Sequence, residues 1–271
     1  MPKAPVNGVE IDYEDGGRGP AVLLSHGYSA TGRMWAPQRP VLEPSYRLIT
    51  WDMRGHGQTE SPADPTQYSE ALTVEDMRGL LAYLGVERAV IGGLSLGGTM
   101  SLAFHRRHPE MVRALVICDS GPGYRNSEAR AAWNARAHER AAELEARGLD
   151  ALARRSRETQ QAVHRSAPGL AHAARGMLAQ QDSRVIDALP SLRWPTLIIV
   201  GDQDQPFVAP SEYMAKKIPG ARLEVIRGAG HSSNLDQPEI FNRVLRDFLI
   251  GHGGPEMAPN PPHVRGAPAK P

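Results

Sequence analysis

The most constraining feature of the chain is a serine set among small residues directly after an apolar run. Residues 89–91 form that run, and the sequence GGLSLGG follows at 92–98 with Ser95 at its centre. A helical pattern continues from there, so the order predicts a strand, a tight turn and a helix. Gly93 and Gly97 stand two positions either side of the serine, where a Cβ would collide with neighbouring backbone as the chain reverses. The sequence therefore predicts a sharp turn that exposes the Ser95 hydroxyl.

A serine exposed in this way has the layout of a nucleophile elbow. The turn points the N–H of Leu96 toward the place where an oxyanion would form, at the start of the following helix. After the apolar residues 22–24, Gly27 lets the chain bend so that the amide of Tyr28 can point to the same place. A glycine-rich loop is the alternative, because a chain with 27 Gly in 271 residues can contain this motif by composition alone. The serine therefore needs partners elsewhere in the sequence.

The partners needed are a histidine base and a carboxylate that fixes its tautomer, expected in the chain order serine, acid, histidine. Among the 10 histidines, His231 alone follows the last predicted strand, in a Gly-rich loop at 228–233. Most of the others fall on helical stretches or in the C-terminal tail. His26 precedes Gly27 and is interpreted as a hydrogen-bonding support for its loop. The pattern therefore favours His231 as the base.

Three aspartates are candidates for the acid. Asp204 lies in a polar loop after the predicted strand at 196–200, far enough out to reach a neighbouring loop. Asp202 immediately follows that strand, where an Asp side chain commonly bonds its own turn. Asp119 ends an earlier strand, and the carboxyl ends of several strands face one site in an open α/β sheet. Position and order favour Asp204 and leave Asp119 and Asp202 as alternatives.

At this point the sequence resembles the α/β-hydrolases over most of its length, from about residue 8 to 249. The resemblance rests on the segments LSHGYS at 24–29, WDMRGHG at 51–57, GLSLGG at 93–98, GDQD at 201–204 and GAGH at 228–231. It implies Ser95 as nucleophile, Asp204 as acid and His231 as base. It also implies that the backbone N–H groups of Tyr28 and Leu96 form the oxyanion hole. No metal or organic cofactor is implied.

Within that family the chain is most similar to enol-lactonases, cofactor-free haloperoxidase-type esterases and carboxylesterases. Haloalkane dehalogenases and epoxide hydrolases carry an aspartate where this chain has Ser95, so their chemistry is disfavoured. Carbon-carbon bond hydrolases commonly carry a tryptophan after the histidine, where this chain has Ser232. We therefore expect a serine hydrolase that cleaves a small or medium ester or lactone. A carbon-carbon bond hydrolase with the same triad and a non-catalytic ligand receptor remain as alternatives.

Short apolar strands alternate with helical segments along most of the chain, which predicts a mainly parallel sheet covered by helices on both faces. The expected strands lie at 9–13, 21–25, 47–51, 89–91, 114–118, 196–200 and 223–226. The expected helices lie at 72–84, 96–107, 211–217 and 238–249. The fold class is therefore α/β with the α/β-hydrolase arrangement.

The alternation breaks between 124 and 189, where Ala, Arg and Glu dominate and strong helix formers run from 128 to 147. We interpret residues 124–189 as an inserted helical cap and residues 1–123 and 190–250 as the hydrolase core. The tail at 251–271 is rich in Gly and Pro and is expected to be disordered.

Charge and cysteine content exclude several classes of function. With 31 basic and 30 acidic residues the net charge is +1, so no broad field favours nucleic acid or an anionic membrane. The single cysteine, Cys118, is expected to be a buried thiol. The N-terminus lacks an apolar signal core and no long apolar span appears, which predicts a cytoplasmic protein. The oligomeric state is left open.

Overall fold

A computed structural model describes residues 2–153 and 156–252 of the 271-residue chain. Eight strands in this part form one sheet. They are β1 (Lys3–Val6), β2 (Val9–Gly16), β3 (Ala21–Ser25), β4 (Arg47–Trp51), β5 (Ala89–Leu94), β6 (Val112–Cys118), β7 (Thr196–Gly201) and β8 (Arg222–Ile226). Their order is β1-β2-β4-β3-β5-β6-β7-β8, and every neighbouring pair from β4 to β8 is parallel. Only β1 with β2 and β2 with β4 are antiparallel. The predicted mainly parallel sheet is confirmed.

Helices cover both faces of the sheet. The nine α-helices of the described residues are α1 (Arg39–Leu42), α2 (Glu70–Tyr83), α3 (Leu96–Arg107), α4 (Ser127–Arg147), α5 (Ala167–Ala173), α6 (Arg184–Ala188), α7 (Gln205–Lys217), α8 (Ser233–Asp236) and α9 (Pro238–His252). Short 3-10 or π turns lie at Gly32–Gln38, Pro65–Gln67, Pro109–Met111, Gly148–Leu152, Arg157–Thr159, Ala174–Leu178 and Leu189–Ser191.

The hydrophobic core lies in two layers, one on each face. Every residue of β3, β5 and β7 is buried, because helices pack on both sides of these strands. Leu23 belongs to one layer and Leu24 to the other, since successive side chains of a strand point to opposite faces. Phe104 of α3 packs in the first layer, and Phe241 of α9 packs in the second.

The segment at 124–189, predicted as the cap, contains helices and turns but no strand in the residues described there. Its main element is α4, where Asn126 caps the N-terminus by accepting a 2.8 Å hydrogen bond from the Ala129 amide. The helix ends at Gly148, whose φ of 61° suits glycine. Ala137 and Leu144 form part of its buried face. We keep the name cap for residues 124–189.

Several elements differ from the predictions, and three of these differences are instructive. Strand β1 was missed because it is short, contains Pro5 and lies at the edge of the sheet, the position in a sheet that tolerates proline. Helix α7 begins at Gln205, not at Ser211, since Pro206 in the first helical turn has no N–H to satisfy. The tail was predicted from residue 251, but residues 251 and 252 complete α9. The His252 ring at the end of this helix stacks on the Phe248 ring, with centroids 4.8 Å apart. The rest of the predicted tail, 253–271, lies outside the described residues.

The carboxyl ends of the parallel strands meet along one edge of the sheet, where α/β proteins usually bind ligands. The candidate site residues follow these ends. Tyr28 comes after β3, Ser95 after β5, Asp119 after β6, Asp204 after β7 and His231 after β8. The topology therefore brings residues from five distant parts of the sequence to one edge.

Candidate active site

Ser95 stands between β5 and α3 in a strained backbone conformation. Its φ is 54° and its ψ is −116°, which residues other than glycine rarely adopt. A Cβ on Gly93 would lie 2.5 Å from the carbonyl carbon of Gly97, and a Cβ on Gly97 would lie 2.3 Å from the carbonyl oxygen of Ser25. Both distances are shorter than real side chains show, so the two glycines permit the predicted turn.

Hydrogen bonds hold the Ser95 backbone on both sides. Its N–H donates to the Cys118 carbonyl at 2.9 Å, and its carbonyl accepts from the Ser120 hydroxyl at 2.6 Å and from the Gly98 amide at 3.0 Å. The residue itself is half-buried and lines a cavity. The neighbours therefore fix the strained turn while the side chain borders a space that a small molecule can enter.

The residues that carry the two candidate oxyanion amides belong to segments next to Ser95. A Cβ on Gly27 would lie 3.5 Å from the Ser95 Cβ, so the loop that carries Tyr28 runs directly beside the serine. That loop is a turn closed by a 3.1 Å hydrogen bond from the Ala30 amide to the Gly27 carbonyl. Leu96 is the first residue of α3, and its N–H is one of those that lack an acceptor within the helix.

His231 and Asp204 are in direct contact. His231 Nδ1 lies 2.8 Å from Asp204 Oδ2, and the carboxylate side chain is only 4% exposed whereas the imidazole is 32% exposed. Because Nδ1 donates to the carboxylate, Nε2 is left as the ring nitrogen that can accept a proton. The ring also stacks on Phe207, with centroids 5.0 Å apart and planes at 26°. One side chain therefore fixes the tautomer, and another supports the ring plane.

The surroundings of His231 raise its pKa. Burial lowers the pKa, but the hydrogen bond with Asp204 and the charges of Asp204, Asp119 and Glu158 outweigh burial, so the net shift from 6.5 is upward. An electronegative site of this kind favours the imidazolium form. The ring is thus suited to accept a proton and to carry it.

The other two aspartates have different partners. Asp119 Oδ1 accepts a 2.9 Å hydrogen bond from the Gly201 amide, and Oδ2 accepts from the Ser233 hydroxyl. Burial raises the pKa of Asp119 to about 7. Asp202 accepts a 2.8 Å hydrogen bond from the Gly228 amide, so its carboxylate contacts the loop after β8 and not, as the sequence suggested, its own turn. Of the three candidates, Asp204 alone hydrogen-bonds His231 within the described residues.

Ser95 and His231 are brought to the same sheet edge without a hydrogen bond between them in the described structure. Hydrogen bonds of this kind are often long before a substrate is bound and shorten in the reacting complex. The proposed triad therefore requires that the Ser95–His231 hydrogen bond form when substrate binds.

A cavity of about 160 Å³ opens beside Ser95. Its lining is mainly apolar and includes Met100, Trp133, Met177 and Phe207. Charged residues also line it, namely Glu70, Arg106, Arg107, Asp182 and Arg184. The cavity thus combines a core edge with residues of the cap, and its size fits a small to medium substrate group.

The loops next to the site are held by polar side chains, as expected for His26. His26 Nε2 accepts a 2.9 Å hydrogen bond from the Met53 amide, and its Nδ1 lies 2.7 Å from the Gly27 carbonyl oxygen. Arg54 and Asp76 form a fully buried pair with an N to O distance of 2.6 Å. Burial lowers the pKa of His26 to about 4, so the ring is neutral. These groups support the loops.

Sequence reasoning missed two kinds of residue at the site. Phe207 and Trp133 were not selected, because a single aromatic residue in a loop or a cap helix carries no motif. Glu158 was missed for the same reason, although it accepts a hydrogen bond from the Ser232 hydroxyl next to His231. Only the folded arrangement connects these residues with the base.

Residues 2–153 and 156–252 contain no group of three or more His, Cys, Asp or Glu placed to hold a metal ion. Within the same ranges, none of the helices has both the length and the apolar character needed to cross a membrane.

Comparison with known proteins agrees with the geometry. The 3-oxoadipate enol-lactonase 1 of Acinetobacter baylyi is 30% identical over 251 residues, which are 85% of this chain and 88% of that protein. The 2-hydroxymuconate semialdehyde hydrolase of a Pseudomonas species is 30% identical over 258 residues, which are 89% and 91% of the two chains.

Among solved structures, a thermophilic esterase from Thermogutta terrifontis superposes with a TM-score of 0.80 at 29% identity, covering 93% of this chain and 99% of the esterase. The family model described as "Alpha/beta hydrolase family" matches residues 22–244. This match includes the Ser95 turn and the loops of Asp204 and His231. The chain therefore belongs to the α/β-hydrolase family.

Proposed function

We propose that this protein is a serine hydrolase that cleaves a carboxylic ester or lactone of a small to medium substrate through an acyl-enzyme. The observation that carries the proposal is the hydrogen bond between Asp204 and His231 at the sheet edge that also holds the strained Ser95 turn. A nucleophile, a base and an orienting acid are the groups that acyl transfer needs.

In the first step His231 Nε2 removes the proton of Ser95 as the hydroxyl oxygen attacks the substrate carbonyl. Asp204 keeps the ring in the correct tautomer and stabilises the imidazolium that forms. His231 then gives the proton to the leaving alkoxide, and the acyl group stays on Ser95. In the second step His231 activates a water molecule, which releases the acid and restores the serine.

The amides of Tyr28 and Leu96 donate to the oxygen that becomes negative in both tetrahedral intermediates. The N-terminus of α3 adds a favourable dipole at the same place. A donor of this type typically lowers the barrier by about 3 kcal/mol. The close approach of the Gly27 loop to Ser95 supports this role.

The substrate class follows from the cavity and the relatives. An apolar wall next to Ser95 suits a short acyl or ring portion, and the named relatives include an enol-lactonase and an esterase. The relative that is a semialdehyde hydrolase makes carbon-carbon cleavage the second candidate. Serine at position 232, in place of the tryptophan of that group, favours ester or lactone hydrolysis.

The test measures hydrolysis of a short p-nitrophenyl ester by the wild type and by the Ser95→Ala variant, with circular dichroism as the control for folding. We expect the variant to lose on the order of 10⁶-fold in kcat. Unchanged turnover in a folded variant would refute the assignment. A panel of esters, lactones and vinylogous diketones then separates ester from carbon-carbon cleavage.

A further inference from the structure

Residues 156–165 of the cap, which we call the bridging segment, contact the loop of the candidate base. Arg157 Nη1 lies 3.1 Å from Asp236 Oδ1. The neighbouring residue, Glu158, accepts a hydrogen bond from the Ser232 hydroxyl. Two consecutive residues of the cap are thus tied to the region that follows β8.

These two contacts flank the base along the chain. Ser232 directly follows His231, and Gly230 directly precedes it. The Gly230 amide donates a 2.9 Å hydrogen bond to Asp236 Oδ2, while the other oxygen of Asp236 faces Arg157. The bridging segment therefore contacts Ser232 directly and Gly230 only through Asp236.

The opposite end of the bridging segment contacts the loop beside the serine. His164 Nδ1 accepts a 2.9 Å hydrogen bond from the Gly57 amide, and its Nε2 lies 2.9 Å from the Ser29 carbonyl oxygen. Ser29 follows the candidate oxyanion residue Tyr28. One short piece of the cap thus spans both halves of the candidate machinery.

The contact of Glu158 differs from that of Arg157 in burial. The Arg157 side chain is 59% exposed, and exposed ion pairs contribute little. Glu158 is 8% exposed and Ser232 is 3% exposed. Glu158 Oε1 accepts from the Ser156 hydroxyl at 2.5 Å, so serines satisfy both oxygens. Within the described residues, no Arg, Lys or His nitrogen lies within 4.0 Å of this carboxylate.

Burial of a carboxylate carries a desolvation cost, and a positive charge nearby relieves part of that cost. His231 acquires such a charge in the transition state of the proposed reaction. The charged groups that face the ring are Asp204 and Asp119 from the core and Glu158 from the cap, and all three favour its protonation. Glu158 therefore interacts more strongly with the transition state than with the resting enzyme, which is the condition for an effect on rate.

We propose that Glu158 is a positioning residue for the base: through Ser232 the buried carboxylate of the cap fixes the His231 loop and favours the charged ring. The inference rests on the proposed serine-hydrolase function. It makes the cap a contributor to the chemical step as well as to the cavity wall.

The experiment compares Glu158→Gln, Glu158→Ala and Ser232→Ala with the wild type. The Gln variant keeps the shape and one oxygen acceptor but removes the charge, so it remains informative if the Ala variant fails to fold. Glu139→Gln is the matched control, because Glu139 is exposed on α4 of the same cap. Each variant is assayed for kcat and KM on one p-nitrophenyl ester across pH, and for labelling by a fluorophosphonate probe.

We expect Glu158→Gln to lower kcat between about 5-fold and 100-fold with little change in KM. The acid limb of its pH profile moves to lower pH, because the loss of a negative charge lowers the pKa of His231. Ser232→Ala lowers kcat in the same range, and Glu139→Gln matches the wild type in every measurement.

A Glu158→Gln variant with the kcat and pH profile of the wild type would overturn the inference, as would a loss confined to KM. If the wild type neither turns over the ester nor reacts with the probe, the proposed function fails and the inference fails with it. If the wild type is active and labelled while Glu158→Gln is indistinguishable from it, only the role of Glu158 fails.

Discussion

The turn that carries Ser95 and the bridging segment of the cap are held by different kinds of contact. Around the serine, backbone hydrogen bonds and glycines without room for a Cβ fix the chain. In the bridging segment, side chains such as Glu158 and His164 reach to distant loops. The nucleophile thus depends on backbone geometry, whereas the cap depends on individual side chains.

This difference predicts how each region responds to mutation. The backbone around Ser95 is packed so closely that an added Cβ has no room. A small substitution at one of its glycines is therefore expected to disturb the whole turn. Side-chain contacts can be removed one at a time, with graded effects on the base and the cavity. We therefore expect the core edge to determine whether the proposed reaction occurs, and the cap to determine its rate and selectivity.

The largest expected effect is that of replacing Asp204, the candidate acid at the core edge. Asp204→Asn should lower kcat by about 10⁴-fold, because the amide favours the wrong tautomer of His231. Wild-type activity should fall as the pH drops through a value above 6.5, since the raised pKa of His231 makes the base protonate early. Steady-state kinetics across pH measures both effects.

Asp119→Asn is the matched control for that measurement. Asp119 is also buried at a strand end but hydrogen-bonds Gly201 and Ser233. We expect at most about a tenfold loss of kcat. A larger loss for Asp119→Asn than for Asp204→Asn would reverse the assignment of the acid.

The steric part of the comparison is tested by Gly97→Ala. Its Cβ would lie 2.3 Å from the Ser25 carbonyl oxygen, so we expect the free energy of unfolding to fall by about 3 kcal/mol together with activity. Gly251→Ala in α9 is the control, because a Cβ there meets no atom within 4 Å. Urea denaturation measures the free energy of unfolding of both variants. A Gly97→Ala variant as stable as the wild type would show that the turn can relax to fit the added Cβ.

His26, which is buried and hydrogen-bonds the loops next to the site, makes stability depend on pH. Burial lowers the pKa of His26 to about 4 from 6.5, so the unfolded chain takes up its proton first as the pH falls. The stability contributed by neutral His26 is complete above pH 6.5 and is lost between pH 6.5 and 4. The unfolding free energy of the wild type should fall by about 3 kcal/mol relative to that of His26→Gln over that interval.

Taking the difference between the wild type and a variant cancels the contribution of the buried carboxyl groups to the unfolding free energy. Their raised pKa values would change that free energy with pH in the opposite direction. His138→Gln, at an exposed position of α4, serves as the control. Its difference from the wild type should stay constant with pH in urea titrations. A constant difference for His26→Gln as well would mean that folding does not change the pKa of His26.

The smallest expected effect is a change in substrate selectivity when Trp133 of the cap is replaced. Trp133 donates a 2.9 Å hydrogen bond to the Leu178 carbonyl and lines the cavity. Trp133→Ala should lower kcat/KM about tenfold for a hexanoate ester and less than threefold for an acetate ester, because only the longer chain loses apolar contact. Trp133→Phe should recover most of the loss, and equal losses on both esters would remove Trp133 from the acyl site.

The sequence predicted the features that depend on neighbours in the chain. The order of strand, glycine turn and helix around Ser95 is local, and it agrees with the structure. Strand β1 was not predicted, because the sequence of a short edge strand that contains proline resembles that of a loop. Gln205 was assigned to a loop instead of helix α7 because two prolines follow closely.

Long-range contacts could not be read from the sequence. Asp119, Asp202 and Asp204 all follow strands, and only the 2.8 Å contact with His231 distinguishes Asp204. Glu158 meets Ser232 across a separation of 74 residues, within a cap rich in Ala, Arg and Glu where no motif marks it. Such pairs become visible only when the fold brings them together.

The central claim is that Ser95 is a nucleophile activated by His231. Intact-mass and peptide mapping after treatment with a fluorophosphonate tests it most directly. We predict a single adduct on Ser95 in the wild type, no adduct in Ser95→Ala and much slower labelling in His231→Ala. A folded wild type that stays unlabelled, or an adduct that forms as fast in Ser95→Ala, would contradict the claim.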